Sequence, residues 1–139
     1  MNILVDANVI ANYLTGREDK YSEESVRVMD MCAQKKIKGY VAFHSLSIIW
    51  YTTRRHNPEA TCREWMRLVC KILRTVSATH EAVVEAVNNT AFRDFEDNLQ
   101  DCCAVTAGAD YIVTVNVKDF ENSRVKAVTP DELLKIIDG

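Results

Sequence analysis

Short apolar runs alternate along this chain with segments whose apolar residues recur at helical spacing. The apolar runs predict buried strands at residues 2–5, 39–43 and 111–115, and a short strand at 75–76. The segments between them predict helices at about 9–14, 23–36, 45–55, 58–73, 82–87, 94–107 and from 130 onward. Strands that are separated by helices form a mainly parallel sheet covered on both faces. The sequence therefore predicts an α/β fold, a three-layer α/β/α domain with a mainly parallel central sheet, and a single domain over residues 1–139.

Cap and turn residues mark where several of these helices begin and end. Asn57 before Pro58 predicts an N-cap and a first helical position. Thr79 is predicted to cap a short helix, and Gly108 is predicted to end a later one. The strongest signal is the segment 129–132, Thr-Pro-Asp-Glu, which combines an N-cap, a proline at the first helical position and a capping-box glutamate.

The composition is that of one folded domain, with 139 residues of which 47% are hydrophobic and 27% charged. The apolar runs are far shorter than the ~20 residues that span a bilayer, and the start of the chain lacks the features of a signal peptide. We therefore expect a cytoplasmic protein without a membrane partner. Five cysteines at irregular spacing form no disulfide framework or zinc motif, so we expect buried, reduced thiols. The net charge of −3 argues against a surface that binds nucleic acid everywhere, and leaves room for a local basic patch.

Acidic residues follow the predicted strands at the edge where ligands gather in parallel sheets. Asp6 follows the first strand, and Asp119 and Asn116 follow the strand at 111–115. A third group opens a helix: Asp94, Asp97 and Asp101 have the spacing of one helical face, and Glu96 is predicted to point elsewhere.

Each of these residues also has a purely structural interpretation. Asp94 and Asp97 are favoured in a first helical turn by the helix dipole, and Asp6 is a suitable N-cap for the helix that follows it. Together, however, carboxylates that converge at low dielectric repel each other by several kcal/mol unless a cation neutralises them. Oxygen ligands without histidine or cysteine suit Mg²⁺ or Mn²⁺. Metal-dependent phosphodiester hydrolysis is the chemistry that such a site would support.

Three blocks of the sequence carry a resemblance to a known family. They are ILVDANVI at 3–10, DFEDNLQ at 94–100 and AGADYIVTVNVKDF at 107–120, and VTPDELL at 128–134 resembles the usual end of the same family. These blocks resemble the signature segments of PIN domains, in the same order and at similar separations.

The resemblance implies a VapC-like toxin ribonuclease, one half of a bacterial type II toxin–antitoxin pair. It implies that Asp6, Asp97 and Asp119 hold Mg²⁺ and are catalytic, and that Thr114 and Asn116 support the site. It also implies an RNA substrate cleaved at phosphodiester bonds, a cognate antitoxin protein as partner, and a homodimer.

One position departs from the family pattern. Ile48 stands where many members carry an acidic residue, and an isoleucine cannot bind metal. Three explanations stay open: the subfamily uses fewer carboxylates, Asp94 or Asp101 substitutes, or the chain is a degenerate PIN domain. We favour Asp101 as the substitute. The degenerate form would be a module that binds protein or RNA without cutting it, and a further alternative makes Asp6 a phosphoacceptor.

Two basic clusters are candidates for contacts with RNA phosphates. Arg54 and Arg55 end a predicted helix near the ligand-binding edge and are candidate RNA-binding residues. The densest basic run is Lys35, Lys36 and Lys38. In both cases the competing interpretation is a set of cations that complement a helix C-terminus.

Overall fold

Five parallel strands form one sheet at the centre of the protein. The computed structural model describes all residues, 1–139. The strands are β1 (Asn2–Val5), β2 (Lys38–Ala42), β3 (Arg74–Val76), β4 (Tyr111–Val113) and β5 (Lys126–Val128). Their order across the sheet is β3-β2-β1-β4-β5, and every neighbouring pair is parallel. Because β1 is central, Ile3 pairs with Gly39 of β2 on one side and with Tyr111 of β4 on the other.

Seven α-helices cover the two faces of this sheet. They are α1 (Ala7–Thr15), α2 (Ser22–Ala33), α3 (Phe43–Arg54), α4 (Glu59–Ile72), α5 (His80–Asn88), α6 (Phe95–Thr106) and α7 (Pro130–Asp138), with a 3₁₀ helix at Val117–Phe120. The helices α1 to α4 and α7 pack on one face, and α6 packs on the other with α5 against it. None of these helices has the length and apolar character to cross a membrane. The predicted three-layer α/β/α fold is confirmed.

The alternating direction of side chains along β1 explains why the sheet needs helices on both faces. Ile3 and Val5 belong to a core of 16 buried residues on one face, and Leu4 belongs to a core of 8 on the other. Each is fully buried, which contributes about 1.5–3 kcal/mol per side chain. A continuous apolar run is therefore the pattern that this central strand requires.

Most of the predicted helix starts are confirmed. Thr79 accepts a hydrogen bond from the backbone N–H of Ala82, and Thr129 accepts one from Glu132. The prediction for Asn57 is wrong. Its side-chain amide donates to the carbonyl of Thr53 at 2.8 Å and so closes the end of α3, and Pro58 takes the N-cap position of α4.

The strand β5 was not predicted from the sequence. It has only three residues and its first, Lys126, is exposed, so no apolar run of strand length marks it. The cysteines also differ from the expectation in one case: all five are free thiols and four are buried, but Cys70 is exposed.

Candidate active site

Five carboxylates line one cavity at the edge of the sheet where the strands end. The cavity has a volume of about 340 Å³. Its acidic residues are Asp6, Asp94, Glu96, Asp97 and Asp119. The three aspartates that the sequence singled out as metal ligands therefore share one cavity, although 113 positions separate the first from the last.

Asp6 is the most firmly held of these residues. It is only 8% exposed and its carboxylate accepts four hydrogen bonds. Oδ1 accepts from the backbone N–H of Ala7 at 2.8 Å and from Gln100 Nε2 at 3.0 Å. Oδ2 accepts from Thr114 Oγ1 at 2.8 Å and from Asn8 Nδ2 at 3.1 Å. Asp6 thus caps α1, as the structural interpretation proposed, and also lies in the acidic cavity.

Burial raises the pKa of the Asp6 carboxyl above its usual value, and the negative charge of Asp119 adds to that increase. The hydrogen bonds from Thr114, Ala7 and Asn8 act in the opposite direction because they favour the ionised form. The oxygens of Asp6 are therefore oriented by donors on three sides.

The first turn of α6 supplies three more carboxylates. Asp94 is the N-cap and accepts from the backbone N–H of Glu96 at 2.8 Å. Asp97 is half-buried, and its pKa is raised to about 7, first by burial and then by the charges of the four other carboxylates. Glu96 was predicted to point elsewhere, but it lines the cavity, and burial together with the charges of Asp6 and Asp94 raises its pKa.

Asp101 is not in the cavity, which contradicts its choice as the substitute ligand. Its carboxylate is 2% exposed and faces Arg124, to which it is joined by an ion pair of 2.9 Å. Asp101 also accepts from the backbone N–H of Arg124 at 2.9 Å. The Asp101 side chain therefore joins α6 to the segment before β5, and its carboxylate oxygens are occupied by these bonds to Arg124.

Thr114 and Asn116, the predicted supporting residues, lie next to Asp6 and in the lining of the acidic cavity, respectively. Thr114 is fully buried; its hydroxyl donates to Asp6 and accepts from the backbone N–H of Asn116 at 3.0 Å. Asn116 lines the cavity. The hydroxyl of Thr114 therefore connects the end of β1 to the loop after β4.

Two residues of the site were missed by sequence reasoning. Gln100 is fully buried on α6 and donates from Nε2 to both Asp6 and Ser45 Oγ, the second at 2.8 Å. Arg17 lines the cavity from the loop after α1, and its Nε donates to Asn12 Oδ1 at 2.5 Å. The spacing of three residues between Asp97 and Gln100, which places both on one side of a helix, is the signal that could have identified the first; the loop of Arg17 carries no such pattern.

Ile48 lines the cavity, so the departure from the family pattern falls within the site. Arg54 and Arg55 do not line it. They lie at the C-terminus of α3, and the guanidinium of Arg54 donates to the carbonyl of Asn57 at 3.0 Å. Their surroundings are those of cations at a helix end.

The donor chemistry of the cavity fits a hard divalent cation. Its carboxylates form no ion pair with lysine or arginine, and burial together with their mutual repulsion raises the pKa of Asp97. No three acidic, histidine or cysteine side chains lie close enough to ligate one ion together in this arrangement. Mg²⁺ keeps several of its waters and contacts one or two carboxylates directly, so it does not require such a closed cage. Asp6, Asp97 and Asp119 would hold it, one or two of them directly and the others through its waters.

Comparisons with known proteins agree with this architecture. The chain matches the family model described as "PIN domain" over residues 2–118. No curated protein matches the sequence significantly. The fold is similar to that of VapBC2 from Rickettsia felis bound to a promoter DNA fragment, with a TM-score of 0.69 and 14% identity over 93% of this chain and 98% of that one.

Two further solved structures are similar. VapC20 of Mycobacterium tuberculosis, a toxin that cleaves the sarcin–ricin loop, has a TM-score of 0.62 and 16% identity over 79% of this chain and 86% of that one. VapBC-1 of nontypeable Haemophilus influenzae has a TM-score of 0.67 and 12% identity over 94% and 99%. The family match covers most of the sequence and the same three-layer fold recurs in these structures, so this chain belongs to the PIN domain family.

Proposed function

We propose that this protein is a Mg²⁺-dependent endoribonuclease, with Mn²⁺ as an alternative metal, and the toxin of a type II toxin–antitoxin pair. The observation that carries the proposal is the cavity in which Asp6, Asp97 and Asp119 converge and form no ion pair with lysine or arginine, in a chain of the PIN family. Such a cavity is electrostatically unfavourable unless it has a cation to bind. The toxin that cleaves the sarcin–ricin loop shares this fold, which supports RNA as the substrate.

The residues of the chain have separable roles in this reaction. Bound Mg²⁺ supplies activation of water and stabilisation of negative charge on a phosphodiester. Asp6 is the fixed ligand, because four donors orient its oxygens. Thr114 and Gln100 act through Asp6 and are positioning residues. Arg17 and Asn116 line the same cavity with groups that can donate to a phosphate oxygen.

Glu96 replaces the carboxylate that the chain lacks at Ile48. Both side chains line the acidic cavity. Burial raises the pKa of Glu96, and the negative charge of Asp6 raises it further. A glutamate in the first turn of α6 can therefore supply an oxygen to the same cavity. Glu96→Gln should reduce metal-dependent cleavage by about 10–100-fold, whereas Glu23→Gln, in the exposed first turn of α2, should leave it unchanged. Equal cleavage by the two variants would remove Glu96 from the site.

The experiment that tests the proposed function is cleavage of a mixed, structured RNA by the purified protein free of any antitoxin. It compares Mg²⁺, Mn²⁺ and chelator, and compares the wild type with Asp6→Ala and Asp97→Asn. Asp138→Asn is the matched control, since that aspartate is exposed near the end of α7. Cleavage that requires metal and is lost in both site variants is the expected result.

A module that binds protein or RNA without cutting is the second candidate, and Ile48 is the observation that favours it. It predicts metal binding by a folded protein with no cleavage in any condition. That outcome would refute the nuclease.

A cognate antitoxin, a homodimer and a cytoplasmic location complete the proposal. The structures of VapBC2 and VapBC-1 are complexes of such pairs and share this fold, which supports an antitoxin partner. The exposed aromatic side chains Phe43, Tyr51 and Phe95, at 66%, 68% and 48%, are the kind of surface that protein partners cover. Light scattering of the free protein tests the dimer, and co-purification with the product of an adjacent gene tests the antitoxin.

A further inference from the structure

A second and larger cavity lies at the opposite edge of the sheet, where the strands begin. Its volume is about 690 Å³. Asn2 of β1, Lys38 of β2 and Arg74 of β3 are the first residues of their strands, and all three line this cavity. Because all strands are parallel, this amino edge is separated from the acidic cavity by the whole length of the sheet.

The lining of this cavity is strongly basic. Lys35, Lys36, Lys38, Lys71 and Arg74 all belong to it, and no acidic residue does. None of the five takes part in an ion pair. The chain as a whole carries a net charge of −3, so this concentration of unpaired cations is local. The carboxylate of Asp110 accepts a hydrogen bond from the backbone N–H of Asn2 and does not line the cavity.

The lysines between α2 and β2 lie just beyond the end of α2. The last turn of α2 contains no basic residue, since the helix ends at Ala33 and Lys35 and Lys36 lie beyond its cap. The attraction of the helix dipole falls off within the last turn, so it is weaker at these two positions than inside the helix. Lys35 also has a φ of 61°, in the left-handed region that glycine normally occupies at this position. The chain thus holds a lysine at a place where glycine would be more stable.

The floor of the cavity is apolar and closely packed. It contains Ile37 and Leu73, which are 7% and 3% exposed. A Cβ atom on Gly39 would lie 2.4 Å from Leu73 Cδ2 and 2.7 Å from Cys32 Sγ, so a side chain at this position would force these two neighbours to shift. A rim of cations around an apolar floor suits a ligand with both a phosphate and an uncharged body.

We propose that this basic cavity binds the phosphate group of a nucleotide, with the sugar or base against the apolar floor. The ligand is a free nucleotide or a nucleotide within a single strand of RNA, and both present the same chemistry. A bare phosphate ion uses only the rim, and a cavity of about 690 Å³ is of the size that holds nucleotide-sized molecules. The site is distinct from the proposed nuclease centre, and its existence does not depend on catalysis.

The test measures binding to the full chain in chelator, where no cleavage occurs and the metal-free acidic cavity repels phosphates. The probes are adenosine 5′-monophosphate, a labelled oligoadenylate of about eight nucleotides and inorganic phosphate. The double variant Lys36→Gln/Lys71→Gln removes two exposed cations of the rim. The charge-matched control is Arg27→Gln/Lys135→Gln, whose cations pair with Asp138 and Asp131 elsewhere.

We expect the rim variant to bind the nucleotide probe about tenfold more weakly than the wild type and the control to bind equally well. For the oligoadenylate, the salt dependence of log K should become shallower by about 0.7 for each phosphate that the variant no longer neutralises. Amide NMR resonances of Gly39 and Arg74 should shift on titration, and that of Asn116 should not. Tighter binding of the oligoadenylate assigns the cavity to a strand, and tighter binding of the monophosphate assigns it to a free nucleotide.

Three results would overturn the proposal. They are equal weakening in the rim variant and the control, amide shifts confined to the acidic edge, and inorganic phosphate that competes as well as the nucleotide. RNA cleavage in Mg²⁺ by the rim variant is measured separately. Absence of the proposed nuclease activity in the wild type would leave this binding result unaffected, so the two proposals fail independently.

Discussion

Removing the charge of Asp97 should stabilise the protein when no metal is bound. Asp97 is half-buried among four other carboxylates, and these surroundings raise its pKa from 3.8 to about 7. Its ionised form is therefore less favourable in the folded protein than in the unfolded chain. Asp97→Asn keeps the shape of the side chain and removes the charge, so it isolates this electrostatic cost.

The sign and the pH range follow from the pKa values. A carboxyl whose folded pKa is raised binds a proton more tightly in the native state, so stability is highest at low pH and is lost as the pH rises through the folded pKa. For Asp97 this loss develops between pH 3.8 and about 7. Without solvent screening, a pKa change from 3.8 to about 7 corresponds to a loss of about 4 kcal/mol in the free energy of unfolding. Because Asp97 is only half-buried, screening reduces this loss to about 1–2 kcal/mol.

Urea unfolding in chelator between acidic and alkaline pH measures the effect. Asp97→Asn and wild type should be equally stable near pH 4, and the variant should be more stable by about 1–2 kcal/mol above pH 7, or by about 3–8 °C in Tm. Asp138→Asn, at an exposed position, is the control and should show no such trend. Added Mg²⁺ should raise the Tm of the wild type more than that of the variant. A variant that is no more stable than the wild type at alkaline pH refutes the reasoning.

Three further substitutions test other parts of the structure. Thr114→Val removes the 2.8 Å hydrogen bond to Asp6 and should lower Mn²⁺ affinity by about 10–100-fold, measured by calorimetry. Asp101→Ala leaves Arg124 without its buried partner and should lower the free energy of unfolding by about 2–3 kcal/mol, with Mn²⁺ affinity unchanged. Gly39→Ala places a Cβ within 2.4 Å of a neighbouring side chain and should cost about 1–3 kcal/mol of stability in urea unfolding.

Each of these has an outcome that contradicts it. Thr106→Val removes a hydroxyl that donates only to a helix carbonyl at 3.0 Å, so an equal loss of Mn²⁺ affinity there would make the effect of Thr114 unspecific. Weaker Mn²⁺ binding in a folded Asp101→Ala protein would return that residue to the metal site. An unchanged urea midpoint in Gly39→Ala would show that the side chains in the floor of the basic cavity shift at no cost in stability.

Much of the fold could be predicted because its elements are fixed by local signals. The β1 run is buried on both faces, so its residues had to be continuously apolar. The element that escaped prediction, β5, is a three-residue strand at the sheet edge with an exposed first residue, and it is recognised only through its pairing with β4. Asn57 was misread because its side chain has two helices within reach, and it bonds the end of α3.

The residues of the candidate site also differ in whether a local sequence rule could predict them. The rule that ligands gather where parallel strands end located Asp6 and Asp119 without reference to any family. Helical periodicity was a poorer guide within α6, since it grouped Asp101 with Asp97. Asp101 lies one turn further along the helix, where Arg124 from the segment before β5 pairs with it. Glu96, in the first turn, is at the helix end that faces the cavity, and a long side chain there can reach the cavity whatever its angular position.

The parallel sheet also determines where charged side chains are electrostatically favoured. Helices that follow a strand present their N-termini at the carboxyl edge, and helices that precede a strand present their C-termini at the amino edge, so anions and cations are favoured at opposite edges. Asp94 as a cap and Lys71 in the last turn of α4 need no further explanation. Asp97 is different, because its raised pKa of about 7 shows that its charge is unfavourable where it lies. Positions at which the chain keeps a charge against its own stability are the ones where binding of an oppositely charged ligand explains the residue.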